Sequence, residues 1–296
     1  FSLQAYYDYT HRDEHSIAEE RHTADIDFQH RLRLTQRHRL MWGAGFRVSH
    51  DDLRDSPGGD PLYVEDASRT DHLYSLFVQD EITLSPDKLD LTVGSKFEHN
   101  DYTGWEIQPS ARLAYAPSNR QSVWAAVSRA VRTPARLEHQ TTLKTTSEAG
   151  GFSLPLSLIN GDAFDSEVLW AYELGHRARL SSRLTLDTAL FYHDYDQFQS
   201  LDLDLTTVPA ALADPANNSA QVAVGNALSG ETYGIEATAT VQAQSWWRLA
   251  ASYSFARVQL HVDQGVEDST TEALFEDDHP RHQANLRSMM DLSHNV

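Results

Sequence analysis

"YELGHRARLSSRLTLDTALFYHDYD", residues 172–196, holds two runs of alternating residues hinged at Ser181-Ser182. Every second residue gives Tyr172, Leu174, Ala178 and Leu180, then Leu184, Leu186, Leu190 and Tyr192. The intervening set gives Glu173, Arg177 and Arg179, then Thr185, Asp187 and His193. A period of two places the sets on opposite faces of a strand, whereas a helix needs a period of about 3.6. One face therefore calls for an apolar surrounding and the other for water.

The pattern recurs along most of the chain. "TADIDFQHRLRL" sets Ala24, Ile26, Phe28, Leu32 and Leu34 against Asp25, Asp27, Gln29, Arg31 and Arg33. "ETYGIEATATVQ" sets Tyr233, Ile235, Ala237 and Val241 against Thr232, Glu236 and Thr238. About twelve such runs lie near 2–12, 20–34, 38–51, 70–84, 88–100, 105–116, 121–133, 167–180, 183–197, 222–242, 245–261 and 281–292. Each approaches the roughly 9 to 11 residues with which a tilted strand crosses a bilayer.

The connections carry an independent signal. Short turns at 35–37, 85–87, 117–120, 181–182 and 243–244 alternate with longer connections near 52–69, 100–105, 134–166, 198–221 and 262–280. All long connections then fall at one end of the sheet. A membrane barrel has that asymmetry, with short periplasmic turns and long extracellular loops.

Composition sets limits. The 296 residues carry a formal net charge of −19, with mean hydropathy −0.51. No segment offers the ~18 apolar residues of a membrane helix, a test that does not detect barrels. The acidic balance argues against a nucleic-acid partner, which needs clustered Lys and Arg. The chain has no cysteine, so disulfides and thiolate chemistry are excluded. "FSLQAYYDYT" is neither a start nor a signal peptide, and "MMDLSHNV" stops mid-pattern, so the chain reads as a fragment.

A half-exposed soluble sheet also alternates. Against it stand the length of the runs, the dense charge on the second face, and the aromatics at run ends. Tyr6, Tyr7, Tyr9, Trp42, Trp105, Trp124, Tyr192, Tyr195, Trp246 and Trp247 are expected to form interfacial girdles. His30 and His176 fit the apolar face badly unless they lie near an interface.

Several stretches resemble the TonB-dependent receptors of Gram-negative outer membranes. "LFVQDEITLSPDKLDLTVGSKFEHND" (76–101) is similar to that family's strand–turn–strand. "IQPSARLAYAPSNRQSVWAAVSRAVRTPARLE" (107–138) resembles its hairpin ending in serine–arginine–alanine, then arginine–x–proline, here Ser128, Arg129, Ala130, Arg132 and Pro134. Residues 166–200 and 225–242 match later segments in the right order. The resemblance implies an all-β, antiparallel transmembrane barrel, about 12 of 22 strands, with the plug domain and final strands missing from 1–296. It further implies a monomer surrounded by outer-membrane lipids, driven by the inner-membrane TonB complex, importing a scarce bulky solute, by default an iron–siderophore complex. A passive porin-type channel and a soluble secreted β-protein are the alternatives.

Candidate ligand-binding residues are Arg129, Arg132, His139 and Trp105. For the two arginines the preferred alternative is structural, bonding to plug or loop carboxylates. A haem-importing branch places a histidine between two boxes; Val131-Arg132-Thr133-Pro134 and His139 are present, but no second box follows, which disfavours haem. The acidic loop 262–280, with Glu267, Asp268, Glu272, Glu276, Asp277, Asp278 and His279, could hold Ca²⁺, as could 51–60, but neither has EF-hand spacing. His193 is separated from Asp194 and Asp196 by strand alternation. No nucleophile elbow, Walker loop or zinc-protease motif occurs, so no enzyme activity, cofactor or resident metal is expected.

Overall fold

The structure is a computed structural model that describes residues 1–13, 17–55, 62–64, 67–139, 141–149, 152–160, 164–215, 218–263, 276 and 279–292. Its strands are β1 (Ser2–Asp13), β2 (Ile17–Arg33), β3 (His38–Asp55), β4 (Leu62–Val64), β5 (Ser68–Ser85), β6 (Leu89–Asn100), β7 (Gly104–Ser118) and β8 (Gln121–Arg132). There follow β9 (Thr141–Ala149), β10 (Phe152–Asn160), β11 (Glu167–Arg179), β12 (Leu184–Asp204), β13 (Ala220–Gln244), β14 (Trp247–Val262) and β15 (His282–Met290). Two short helices, α1 (Arg136–His139) and α2 (Val208–Ala213), lie in connections. No described helix is long and apolar enough to cross a membrane.

Every expected run holds a strand, and these twelve pair antiparallel in the order β1-β2-β3-β5-β6-β7-β8-β11-β12-β13-β14-β15. Their side-chain chemistry gives each strand a register through its apolar face, and the turns close it. At the opening stretch, the Ser181 hydroxyl accepts the N–H groups of Arg183 and Leu184, both at 3.1 Å. Thr35 does the same for Arg37 and His38 between β2 and β3. At β5–β6, Asp87 takes the left-handed φ of 59° that Asp tolerates.

Two features were not expected. β4, β9 and β10 lie inside long connections. β10 pairs parallel with the start of β13, β9 pairs with β10, and β4 pairs with β9. "TTLKTTSEA" (β9) has no apolar face for alternation to reveal. The connection expected at 100–105 is instead a tight turn. Asn100 Oδ1 accepts Tyr102 N–H at 2.9 Å and Thr103 N–H at 2.8 Å, and Gly104 supplies a φ of 74°.

The wall is one sheet thick, and its two faces differ. One cross-strand row runs Leu91, Leu113, Ala125, Leu174, Leu190, Ile235, Phe255 over seven strands. Leu113, Leu174, Leu190 and Ile235 in that row stay 37–48% exposed, too large a bare apolar strip for water. The opposite face carries ion pairs such as Arg177–Asp187 and Arg47–Asp25. Buried apolar side chains gather instead at the end of the sheet that carries the long connections, where Leu53, Phe164, Leu228 and Leu260 are almost covered. Described connection residues such as Phe164 and Arg136 pack there, against the upper end of the charged face.

The girdle expectation needs a correction. Tyr7, Tyr9, Trp42, Trp105, Tyr192 and Trp247 share the apolar face, but Tyr6, Trp124 and Tyr195 stand on the charged one. Their partners show it: Tyr6 opposes Asp25, Trp124 opposes Gly175, and Tyr195 opposes Leu169. Proximity to a run end does not fix the face; parity does. His30 and His176 each lie three residues from the short-turn end of their strand, away from its middle.

Candidate functional site at the outer mouth

β8 ends at Arg132 because Pro134 follows and cannot continue a ladder. Arg132 faces inward, opposite Glu167, the first residue of β11. Its Nε and Nη2 donate to the two Glu167 oxygens at 2.7 and 2.8 Å, a two-bond fork. Nη1 donates to both oxygens of Glu138 at 2.9 Å. The Glu167 bond, opposed by burial and reinforced by Glu138, raises the guanidinium pKa further above its ordinary value. Glu138 also accepts the Ala135 N–H at 2.7 Å, so one arginine fixes the whole departure of the chain from the wall.

Arg129 does a different task. The β7–β8 ladder stops at Ser110 opposite Ser128, because Pro109 has no N–H to give. Arg129 Nη1 donates to the Ile107 carbonyl at 2.7 Å and lies 3.6 Å from Glu106. The side chain thus replaces bonds that the backbone cannot make.

Trp105 lies on the opposite face from Arg132, while Arg129 reaches the neighbouring Glu106 and Ile107. Trp105 is 71% exposed on the apolar face, with its ring edge-on to His99 at 5.1 Å. His139 is the last residue of α1, and its side chain lies outside the described residues.

Sequence reasoning missed the residue that pins the connection across the bore. Arg136, at the start of α1, is 6% exposed and pairs with Asp51 of β3, which is 3% exposed. β5, β6 and β7 separate β3 from β8 in the sheet, so this contact spans the bore face of three strands. Asp51 also takes Arg21 Nη2 at 3.3 Å, and Arg21 reaches Glu19 at 2.6 Å. Burial, then the nearby Arg21, push the Arg136 pKa down, while Glu19 resists. The available signal was a further arginine two residues after the arginine–x–proline signature.

Beside this network, the Tyr102 hydroxyl donates to Asp71 at 2.6 Å, and Arg69 lies over the Tyr102 ring at 4.5 Å. Burial and the Asp71 bond push the phenol pKa well up. Asp101 is held below the usual carboxylate range: burial would raise it, but the backbone and ring N–H groups of His72, at 2.7 and 3.0 Å, outweigh that. Ser166 donates to Thr103 at 3.1 Å, and Thr103 to Glu106 at 3.0 Å, tying β11 to the turn.

This mouth can orient and hydrogen-bond a ligand, and among the described residues it presents no nucleophile with a base. No group of His, Asp and Glu among the described residues could hold a metal ion. Of the acidic loop, Glu276 accepts the Leu260 N–H at 2.8 Å, while Glu267, Asp268, Glu272, Asp277 and Asp278 lie outside the described residues. In 51–60, Asp51 is committed to arginines and Asp60 lies outside. His193 turns inward and Asp194 outward, as alternation requires.

Comparison with known proteins agrees with this geometry. A family model described as TonB dependent receptor-like, beta-barrel, matches residues 1–294. Among solved structures, the siderophore receptor PirA from Pseudomonas aeruginosa is 18% identical, with a TM-score of 0.69 over 86% of this chain and 46% of that one. PirA from Acinetobacter baumannii is 13% identical, with a TM-score of 0.64 over 86% and 38%. The FrpB iron transporter from Neisseria meningitidis is 12% identical, with a TM-score of 0.59 over 84% and 37%. The chain thus spans less than half of each of these structures. A comparison with curated proteins gives no match.

Proposed function

The chain belongs to the β-barrel family of TonB-dependent receptors, and on that premise we propose that it forms part of the wall and outer mouth of an outer-membrane transporter. Its solute is scarce and bulky, with an iron–siderophore complex the first candidate. The observation that carries this reading is the contrast between the bare apolar row at Leu174, Leu190 and Ile235 and the opposite face, which carries ion pairs such as Arg177–Asp187 and Arg47–Asp25. Lipid meets the first face, and the second surrounds a solute path.

In this reading residues 1–296 are barrel wall within a longer protein, and a plug and the contact with the TonB complex lie in segments outside this sequence. Receptors and transporters of this family are not enzymes, and the work done is binding and release. The connections 134–166, 198–221 and 262–280 choose the ligand. Arg132 and Arg136 hold the first of them over the bore, which makes Arg132 and His139 the first residues to substitute. Support for iron comes from the neighbours, two siderophore receptors and an iron transporter. The test is growth and uptake of labelled ferric siderophores in the source organism with the gene intact or deleted. Loss of uptake for one chelate class names the solute. Unchanged uptake of every iron source would sink the iron assignment while leaving the barrel untouched.

A further inference from the structure

Eleven histidines lie on described strands, and ten of them share the outward, apolar face; only His193 turns inward. Chance parity would divide them about evenly. None sits mid-wall. His30, His38 and His176 lie toward the periplasmic ends of their strands, and the other seven toward the extracellular ends. These are the heights at which the outward Tyr and Trp residues also lie.

Five of the outer imidazoles form one continuous patch across β1–β6: His11, His22, His50, His72 and His99. His22 stands between Tyr9 and His50 in the cross-strand register, with its Nδ1 2.6 Å from the Tyr7 hydroxyl. His72 and His99 flank Tyr74, at ring distances of 6.5 and 6.3 Å. Beneath His22 and His50 run the apolar rows Ala24–Val48 and Ile26–Phe46–Tyr74, which end on His72 and His99 and continue into the bare wall.

The charged neighbours decide what the patch can bind. Among the described residues, the outward carboxylates are Asp13 on β1, Glu20 on β2, Asp52 on β3 and Asp101 in the β6–β7 turn, and Arg54 on β3 is the one permanent cation. Glu20 lies 3.8 Å from His11, and Asp52 3.9 Å from His50. β5 and β7 add only uncharged rings, Tyr74 and Trp105. With neutral imidazoles the patch is net negative, four carboxylates against one arginine. With protonated imidazoles it becomes net positive, six cations against four anions. Imidazole changes charge around pH ~6.5.

We propose that this outward patch is a proton-dependent seat for the phosphate-bearing headgroups of the lipid leaflet around the barrel. It lies directly above the apolar wall, at headgroup height, so the partner is the one already in contact with that wall. Phosphate is repelled while the carboxylates dominate and attracted once the imidazoles carry charge. On protonation His11, His50 and His72 neutralise Glu20, Asp52 and Asp101, which leaves the charge of His22 and His99 to the phosphate. The proposal rests on the lipid-facing reading of the bare face.

The test uses the intact receptor containing this chain, reconstituted in vesicles of phosphatidylcholine alone or with lipid A. Thermal unfolding is followed by the gel mobility shift of folded barrels. In lipid A vesicles, acidification from about pH 7.5 to about pH 5.5 is expected to raise the unfolding temperature by about 3 °C or more. The rise is expected to be absent in phosphatidylcholine and in the His22→Gln/His50→Gln/His99→Gln variant. An equal rise in phosphatidylcholine would place the effect inside the protein and overturn the headgroup seat. A rise that persists in the variant would overturn it too. An inserted, folded barrel with no rise sinks the seat alone, whereas a receptor that will not enter vesicles sinks the lipid-facing reading with it.

Discussion

Trp124 lies over Gly175 on the neighbouring strand, so close that a β-carbon there would come within 2.2 Å of the indole ring. Arg112 stacks on the same indole from β7, at 4.7 Å. Phe77 covers Gly43 and Phe191 covers Gly234 in the same manner. The bore face thus repeatedly answers a missing side chain with an aromatic from the next strand.

Substituting Gly175→Ala forces the ring off the wall and is expected to destabilise the receptor by about 1–3 kcal/mol, the cost of overpacking. Gly225→Ala is the control, because its β-carbon would meet only the Ser200 hydroxyl at 3.4 Å. Comparing the temperature at which each variant loses its folded gel form checks this. Equal midpoints for the two variants would refute the close-contact account.

The Arg136–Asp51 pair predicts a local effect with a distant address. Arg136→Met leaves Asp51 with Arg21 alone, and breaking such a buried pair typically costs about 3–5 kcal/mol. Because the pair ties a connection rather than the ladder, the cost should appear as opening of α1. Hydrogen exchange is expected to rise at residues 134–139 and at the head of β3, with mid-wall protection unchanged. Adding Asp51→Asn should recover part of the loss, since no unpaired charge remains.

Arg132 offers a sharper chemical test. Lys in its place keeps the charge but cannot make the two-bond fork to Glu167 while also bridging Glu138. Arg132→Lys is therefore expected to behave more like Arg132→Ala than like the native chain in protease cleavage of the 134–166 connection. Native-like resistance in the lysine variant would reduce the role of Arg132 to charge alone.

These cases show which parts of the molecule were legible from sequence. The twelve wall strands were readable because an apolar surrounding on one face and a polar one on the other impose parity on residues along each run, as in "LTLDTALFY". The positions of Trp124 and Tyr195 were misread because run-end position was used where parity decides. β9 was invisible, since its pairing depends on β10 and β4 rather than on any face of its own. Arg136 was missed for the same kind of reason. Its partner lies 85 residues away, on a strand that is not a neighbour, and no local pattern encodes such a contact.

The β6–β7 turn should have a stability window in pH. The lowered Asp101 pKa makes its contribution fully present above the ordinary carboxylate pKa and lost as pH falls through the lowered folded value. The raised Tyr102 pKa acts oppositely: its contribution is present below the ordinary phenol pKa of about 10 and lost as pH rises through the folded one. Protection of the Tyr102 and Thr103 amides is expected to hold from mildly acidic to mildly alkaline conditions and to fall at low pH. Asp101→Asn should flatten the acid side. On the alkaline side, Tyr102 should ionise later than exposed tyrosines in ultraviolet titration.

The assignment of faces can be tested residue by residue, because the chain has no cysteine to confuse a label. Single cysteines at Leu190 and Ile235, which oppose one another on the bare face, are expected to react with a thiol probe dissolved in the lipid phase. Cysteines at Asp187 and Glu236, on neighbouring positions but of opposite parity, should react only with a water-soluble probe. A lipid-phase probe on a soluble sheet would show no alternation, because both faces would meet water. Reversed alternation, with Asp187 and Glu236 modified from lipid, would turn the wall inside out. The Arg132 and Arg136 network would then face hydrocarbon, where burying such charge without water is prohibitive, and neither the solute path nor the headgroup seat would survive.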